Sequence, residues 1–243
     1  MATRTAESHP SQRRGLLAAT LGLVAKGLFW LAMALLFSIV LEWVGMVFWW
    51  PEEGVQHSRD MLLRELAYLD EDFKRSVMTS HPAEFAQRFA EHFHHYLFEK
   101  TGVIELIQWI HTPPSAGETG LRPRLHRIYW PVAAFVMAGM ASVQVFAVRL
   151  AILMLALPVF VLFGLLAIVD GLVQRDLRKW GGGRESSFVY HHAKRSITPF
   201  LVLAWVVYLA LPISLHPSFI VLPFATLFAF ALAITTSTFK KYL

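Results

Sequence analysis

From Leu16 to Trp50 the chain is almost continuously apolar, interrupted only by Lys26, Ser38 and Glu42. A helix needs about 20 such residues to cross the hydrocarbon layer of a bilayer. Gly27–Trp49 supplies them, with Trp43, Trp49 and Trp50 placed where an interfacial aromatic belt sits. Arg4, Arg13 and Arg14 precede the run as in a signal peptide, but the run far exceeds an h-region of about 7–15 residues. No A-x-A-like site closes it. Residues 16–50 therefore read as an uncleaved signal anchor behind a tail of residues 1–15.

Three further apolar runs follow. Trp130–Val169 is broken only by Gln144 and Arg149. No Gly, Pro, Asn or Asp lies beside Arg149 to make a tight hairpin. Forty helical residues reach about 60 Å, twice the hydrocarbon thickness. The run is thus compatible with two crossings or with one long helix, Ala151–Val169 in the membrane and the earlier half outside it. Pro158 would kink such a helix, which neighbouring helices accommodate. Thr198–Leu215 and Ser218–Thr236, joined at His216-Pro217-Ser218, read as a helical hairpin with Pro199 in the first turn of its first helix.

Charge favours the single crossing. With four spans, Arg4, Arg13, Arg14, Lys26, the six basic residues of the 170–197 loop, and Lys240 and Lys241 all lie on one side, and the hairpin turn carries no Lys or Arg. A second crossing would export the basic loop, against the positive-inside rule. The expected fold is an all-α integral membrane protein of the bacterial inner membrane. It has four transmembrane helices (16–50, one within 130–169, 198–215 and 218–236), N-in and C-in, with residues 237–243 as a cytoplasmic tail.

Between the first two spans, residues 51–129 carry nine basic and twelve acidic residues and read as a small helical periplasmic module. Leu62, Leu66, Leu69, Phe73 and Val77 form one helical face, with Glu65, Asp70, Asp72 and Lys74 opposite. Ser80 caps a second helix striped by Phe85, Phe89, Phe93 and Tyr96 and ended at Thr101-Gly102. A third piece covers Val103–Ile110. Such short helices bury little apolar area alone, so they are expected to pack on the long second run or on a partner.

Little catalytic chemistry is legible. The chain has no cysteine, which excludes disulfides, thiolate metal sites and cysteine nucleophiles. His92 and His95 share a helix face, but no H-E-x-x-H or second ligand cluster accompanies them, and the histidines read as a surface patch. Gly181-Gly182-Gly183-Arg184 lacks the Lys-Ser/Thr of a phosphate-binding loop and reads as a flexible joint. No catalytic residue, metal or cofactor is assigned. A net charge of +5 would suggest nucleic acid for a soluble protein, but here the basic residues are topology signals facing membrane lipid, and no direct nucleic-acid contact is expected.

Two features stand out. Glu42 and Arg149 are ionisable residues inside apolar runs, and such residues usually pair or serve function. Both fall near where the first two spans emerge, so an ion pair between them is the expectation, against the alternative that each snorkels to the interface. The loop 170–197 interleaves Arg175, Arg178, Lys179 and Arg184 with Trp180, Phe188 and Tyr190. Topology explains the charges; the aromatics suit a protein-docking surface.

The sequence also resembles the integrating conjugative element membrane proteins. The likeness rests on Trp50-Pro51-Glu52-Glu53-Gly54 through His57-Ser58, on Gln174-Arg175-Asp176-Leu177-Arg178, and on Gly183-Arg184-Glu185-Ser186-Ser187 through Tyr190-His191. The ending His216-Pro217, Leu222-Pro223 and Phe239-Lys240-Lys241-Tyr242-Leu243 also matches. That family is encoded beside the TraD/TraG-type coupling ATPase of conjugation systems. The resemblance implies a non-enzymatic inner-membrane accessory of conjugative DNA transfer by type IV secretion. Its partners would be the coupling ATPase, other secretion-apparatus proteins or further copies of itself. The competing class is a small transporter or channel subunit, for which the last two spans offer only scattered Ser and Thr.

Overall fold

A computed structural model describes residues 16–72, 82–114, 120–181 and 187–239. These residues form helices and no strand. The first apolar run is helix α1 (Leu16–Phe48). Two amphipathic helices follow, α2 (Val55–Asp72) and α3 (Pro82–His94), the latter prolonged by a π-turn over His95–Glu99. Next come the short helices α4 (Val103–His111) and α5 (Leu121–Tyr129). A 3-10 turn over Trp130–Val132 leads into α6 (Ala133–Trp180). The last two helices are α7 (Ser187–Ala210) and α8 (Ser218–Ser237). Four stretches are long and apolar enough to cross a membrane: Thr20–Phe48, Leu121–Trp180, Phe188–Ala210 and Ser218–Ser237.

The second run resolves into one helix. The 48 residues of α6 continue through Arg149 and Pro158 without a break, a length of about 72 Å. The expected loop 170–197 is therefore largely helical, because α6 continues to Trp180 and α7 starts at Ser187. Polar pairs spaced along one helix face sustain α6 past its apolar stretch: Gln174 donates to Asp170 (2.7 Å), and Lys179 lies 3.9 Å from Asp176. Pro199, expected in a first turn, consequently lies inside α7.

Helix directions follow from a few contacts. Gly139 of α6 faces Ile39 and Trp43 of α1, and Trp43 Nε1 donates to the Phe135 carbonyl (2.8 Å), so α1 and α6 are antiparallel. Gly164 meets Phe228 and Leu232, and Gly171 meets Ala233 and Thr236, so α8 runs parallel to α6. At Gly171 the approach is closest: a Cβ there would stand 2.6 Å from the Ala233 carbonyl oxygen. Only glycine allows that separation.

The core lies at the middle of α6, where Ala147, Ala151, Ile152 and Leu153 are buried. α2 and α3 fold back along the first half of α6, which answers the question of what the short helices pack on. Their buried lines differ from the expected stripes. On α3, Ala86 and Ala90 form the contact and Phe89 and Phe93 flank it, while Phe85 and Tyr96 are exposed. Small residues win the centre because they let α3 approach α6 closely. On α2 the buried line is Ser58, Met61, Glu65 and Leu69, so Glu65 is not on the solvent face. Phe73, Val77 and Ser80 lie outside the described residues.

Candidate functional site: a buried polar joint and a basic rim

The end of α1 turns into α2 through a corner built from the Trp50–Ser58 block. Trp50 folds back against Gly45 so tightly that a Cβ at residue 45 would lie 1.8 Å from its ring. The same ring stacks on His57, with centroids 3.9 Å apart and planes 14° off parallel. Gly54 sits at φ 54°, in the left-handed region that favours glycine, and lets the chain reverse into α2. These contacts aim α2 back at α1. Ser58 Oγ donates to Glu42 Oε1 (2.5 Å), and His57 Nδ1 lies 3.1 Å from the same oxygen. A buried carboxylate at the end of an apolar helix thus finds its partners on the next helix.

Further along α2, Glu65 meets Arg149. Arg149 Nε and Nη2 both donate to Glu65 Oε1, at 2.9 and 2.7 Å. Tyr208 of α7 donates its hydroxyl to Glu65 Oε2 (2.7 Å), and its ring lies beside the guanidinium. Arg149 also donates through Nη1 to the Leu211 carbonyl and through Nη2 to that of Ile213 (2.7 Å), beyond the C-terminal end of α7. Arg149 is 1% exposed and Glu65 fully buried. One guanidinium therefore ties together α6, α2 and the α7–α8 connection. A buried pair is supported only when its remaining hydrogen-bonding capacity is met, and here backbone carbonyls and a phenol meet it.

The expected pair between Glu42 and Arg149 is corrected: each has its own partner. Glu42 is held by His57 and Ser58 at the start of α2, and Arg149 by Glu65, seven residues or about 10 Å farther along the same helix. The residues that sequence reasoning missed are Glu65, Tyr208, His57 and Ser58. A signal for Glu65 was present: it occupies the central place in the four-residue spacing Met61, Glu65, Leu69.

At the opposite end of α6 the docking candidates gather on three elements. Arg178 Nη1 donates to the Ser237 carbonyl of α8 (3.4 Å), and the Tyr190 ring of α7 lies 6.1 Å from that of Phe239. Arg178 and Tyr190 therefore help to hold the rim together. Arg175 and Lys179 lie near Asp176. Trp180 is 90% exposed and Phe188 70%, the latter against His192. Arg184, with Gly182 and Gly183, lies outside the described residues. His92 and His95 are each engaged on their own helix, with the Arg88 carbonyl and Glu99. Among the described residues no group of three or more His, Asp or Glu could hold a metal ion.

Residues 49–240 match the family described as IncC plasmid conjugative DNA transfer protein DtrJ-like. The chain belongs to this family. No curated protein and no solved structure matches it. The match begins at the Trp49-Trp50 corner and includes α2, the Arg149 joint and the rim, so both polar features of this DtrJ-like chain lie inside the family's span. Its role is in conjugative DNA transfer.

Proposed function

We propose that the chain is a non-enzymatic accessory of conjugative DNA transfer in the inner membrane, and that its rim docks the type IV coupling ATPase. The observation that carries this reading is the exposure of Trp180 and Phe188 among Arg175, Lys179 and Lys194. Positive charge suffices to retain a loop in the cytoplasm. Large exposed aromatics add nothing to retention, whereas aromatic residues and Arg are enriched where proteins dock. The joint at Arg149 acts as scaffold in this reading, holding α7 and α8 against α6 so that the rim keeps its shape.

Replacing Trp180 and Phe188 together by Ala leaves every Lys and Arg and the Tyr190–Phe239 contact in place. Insertion should be normal, while co-purification of the coupling ATPase and the frequency of DNA transfer should fall at least tenfold. Normal transfer with an unchanged complex, at equal membrane abundance, would end the proposal. The orientation is tested separately. Reporter fusions after Leu243 and in the Gly181–Gly183 segment should report the cytoplasm, and one near Gly117 the periplasm. A periplasmic report from the glycine segment would reverse the topology and move the rim away from the ATPase.

A further inference from the structure

Three of the membrane-length stretches meet at one end of the molecule. Leu121–Trp180 and Ser218–Ser237 finish there, and Phe188–Ala210 starts there. α8 has 20 residues, about the number that crosses the hydrocarbon layer, so Ser237 stands where that layer gives way to headgroups. Two contacts bring cations to the same height. Arg178 of α6 donates through Nη1 to the Ser237 carbonyl (3.4 Å). Lys194 of α7 has its Nζ 5.7 Å from the centre of the Tyr190 ring, which in turn meets Phe239 just past α8. Arg195 is exposed at the next position of α7.

No carboxylate compensates these three cations. Asp170 accepts from Gln174, and Asp176 lies beside Arg175 and Lys179. Among the described residues no salt bridge reaches Arg178, Lys194 or Arg195. Arg178 is half-buried, yet among the described residues its one hydrogen bond is the long one to Ser237, which leaves most of its guanidinium donors unused. Positive charge left over at the headgroup level is matched from outside by phosphate. The surface on the membrane side of these cations is apolar: Val173 and Leu177 of α6 are 52% and 67% exposed, and Phe230 of α8 is 67% exposed. A soluble polyanion would satisfy the cations and leave that surface bare, whereas a phospholipid covers both.

We infer that the junction of α6, α7 and α8 binds an anionic phospholipid. Arg178, Lys194 and Arg195 hold its phosphate, and its acyl chains lie on the apolar faces of α6 and α8. A zwitterionic phospholipid carries the same phosphate, but its own ammonium group cancels the charge that these cations attract, so a lipid with net negative charge is preferred. The site uses neither Trp180 nor Phe188, on which docking of the ATPase rests, and it depends only on the reading of the chain as membrane-spanning.

The full chain, purified in dodecylmaltoside, is tested by native mass spectrometry and by thermal unfolding with added phosphatidylglycerol, phosphatidylcholine or inorganic phosphate. Phosphatidylglycerol should bind about tenfold more tightly than phosphatidylcholine and raise the melting temperature, while inorganic phosphate alone should do neither. Lys194→Gln combined with Arg195→Gln alters two exposed side chains and leaves the packing intact. It should lower the preference for phosphatidylglycerol about fivefold or more, and Lys194→Arg with Arg195→Lys should retain it. Equal binding of the two lipids, an undiminished preference in the glutamine pair, or the same stabilisation by inorganic phosphate would each overturn the lipid site. A chain released from membranes by carbonate washing would instead refute the membrane-spanning reading itself, before any lipid is added.

Discussion

Replacing Arg149 by Met separates the joint from the rest of the fold. Methionine follows much of the arginine stem and packs with Met61, but it removes every donor to Glu65 except the Tyr208 hydroxyl. It also strips the Leu211 and Ile213 carbonyls of their guanidinium partner. Breaking a buried pair by deleting one member costs about 3–5 kcal/mol, because the other charge stays buried without compensation. At about 1.4 kcal/mol per tenfold change, the folded-to-unfolded ratio should fall at least a hundredfold. Glu65→Leu should cost less, since a cation can still use the two carbonyls. In the double variant no charge is left in the site, and the Tyr208 hydroxyl is the side-chain polar group that has lost its partner. Its cost should fall short of the sum of the singles by about 2 kcal/mol, within the range found for residues in direct contact. The assay is reversible unfolding of the detergent-solubilised chain, run as a complete double-mutant cycle. The parallel cycle of Glu42→Gln with Arg149→Met should be additive to within about 0.5 kcal/mol, as for residues with no shared partner. Additivity for Glu65 with Arg149, or strong coupling for Glu42 with Arg149, would refute the assignment of partners.

Gly171→Ala should destabilise the α6–α8 contact by about 1–3 kcal/mol, because the new methyl meets the Ala233 carbonyl oxygen and α8 must move. Gly27→Ala, with open space around it, should be neutral or slightly stabilising, and equal melting temperatures for the two variants would contradict the close approach. Gly54→Ala meets no neighbour, so its cost of about 1–2 kcal/mol is the left-handed backbone alone. Gly54→Asn should recover part of it in the same unfolding measurement, and an unchanged Gly54→Ala would show that the corner does not need that conformation.

Much of this architecture is written in the linear order of residues. A bilayer imposes a length of about 20 apolar residues, so the four membrane-length stretches are legible without any tertiary information. The hairpin at His216-Pro217 and the amphipathic pieces between the first two spans are legible for the same kind of reason, because turn residues and helical spacing act locally. The partners of the buried charges are not local. Glu42 and Arg149 are conspicuous because each interrupts an apolar run, but nothing in their spacing says how far apart along α6 they come to rest. Glu65 looks like one more surface acid until α2 folds back along α6 and brings it to Arg149, 84 positions away in the chain. The direction of that fold is set by Gly45, Trp50, Gly54 and His57, whose close ring contacts and left-handed turn exist only once α1 and α2 are packed. The rim divides in the same way. Its charge was visible as composition, whereas the split between Arg178 and Tyr190, tied to α8, and Trp180 and Phe188, left open, required the ends of three helices to meet. A sequence carries the free energy of burying each side chain, and only packing decides against which neighbour it is buried.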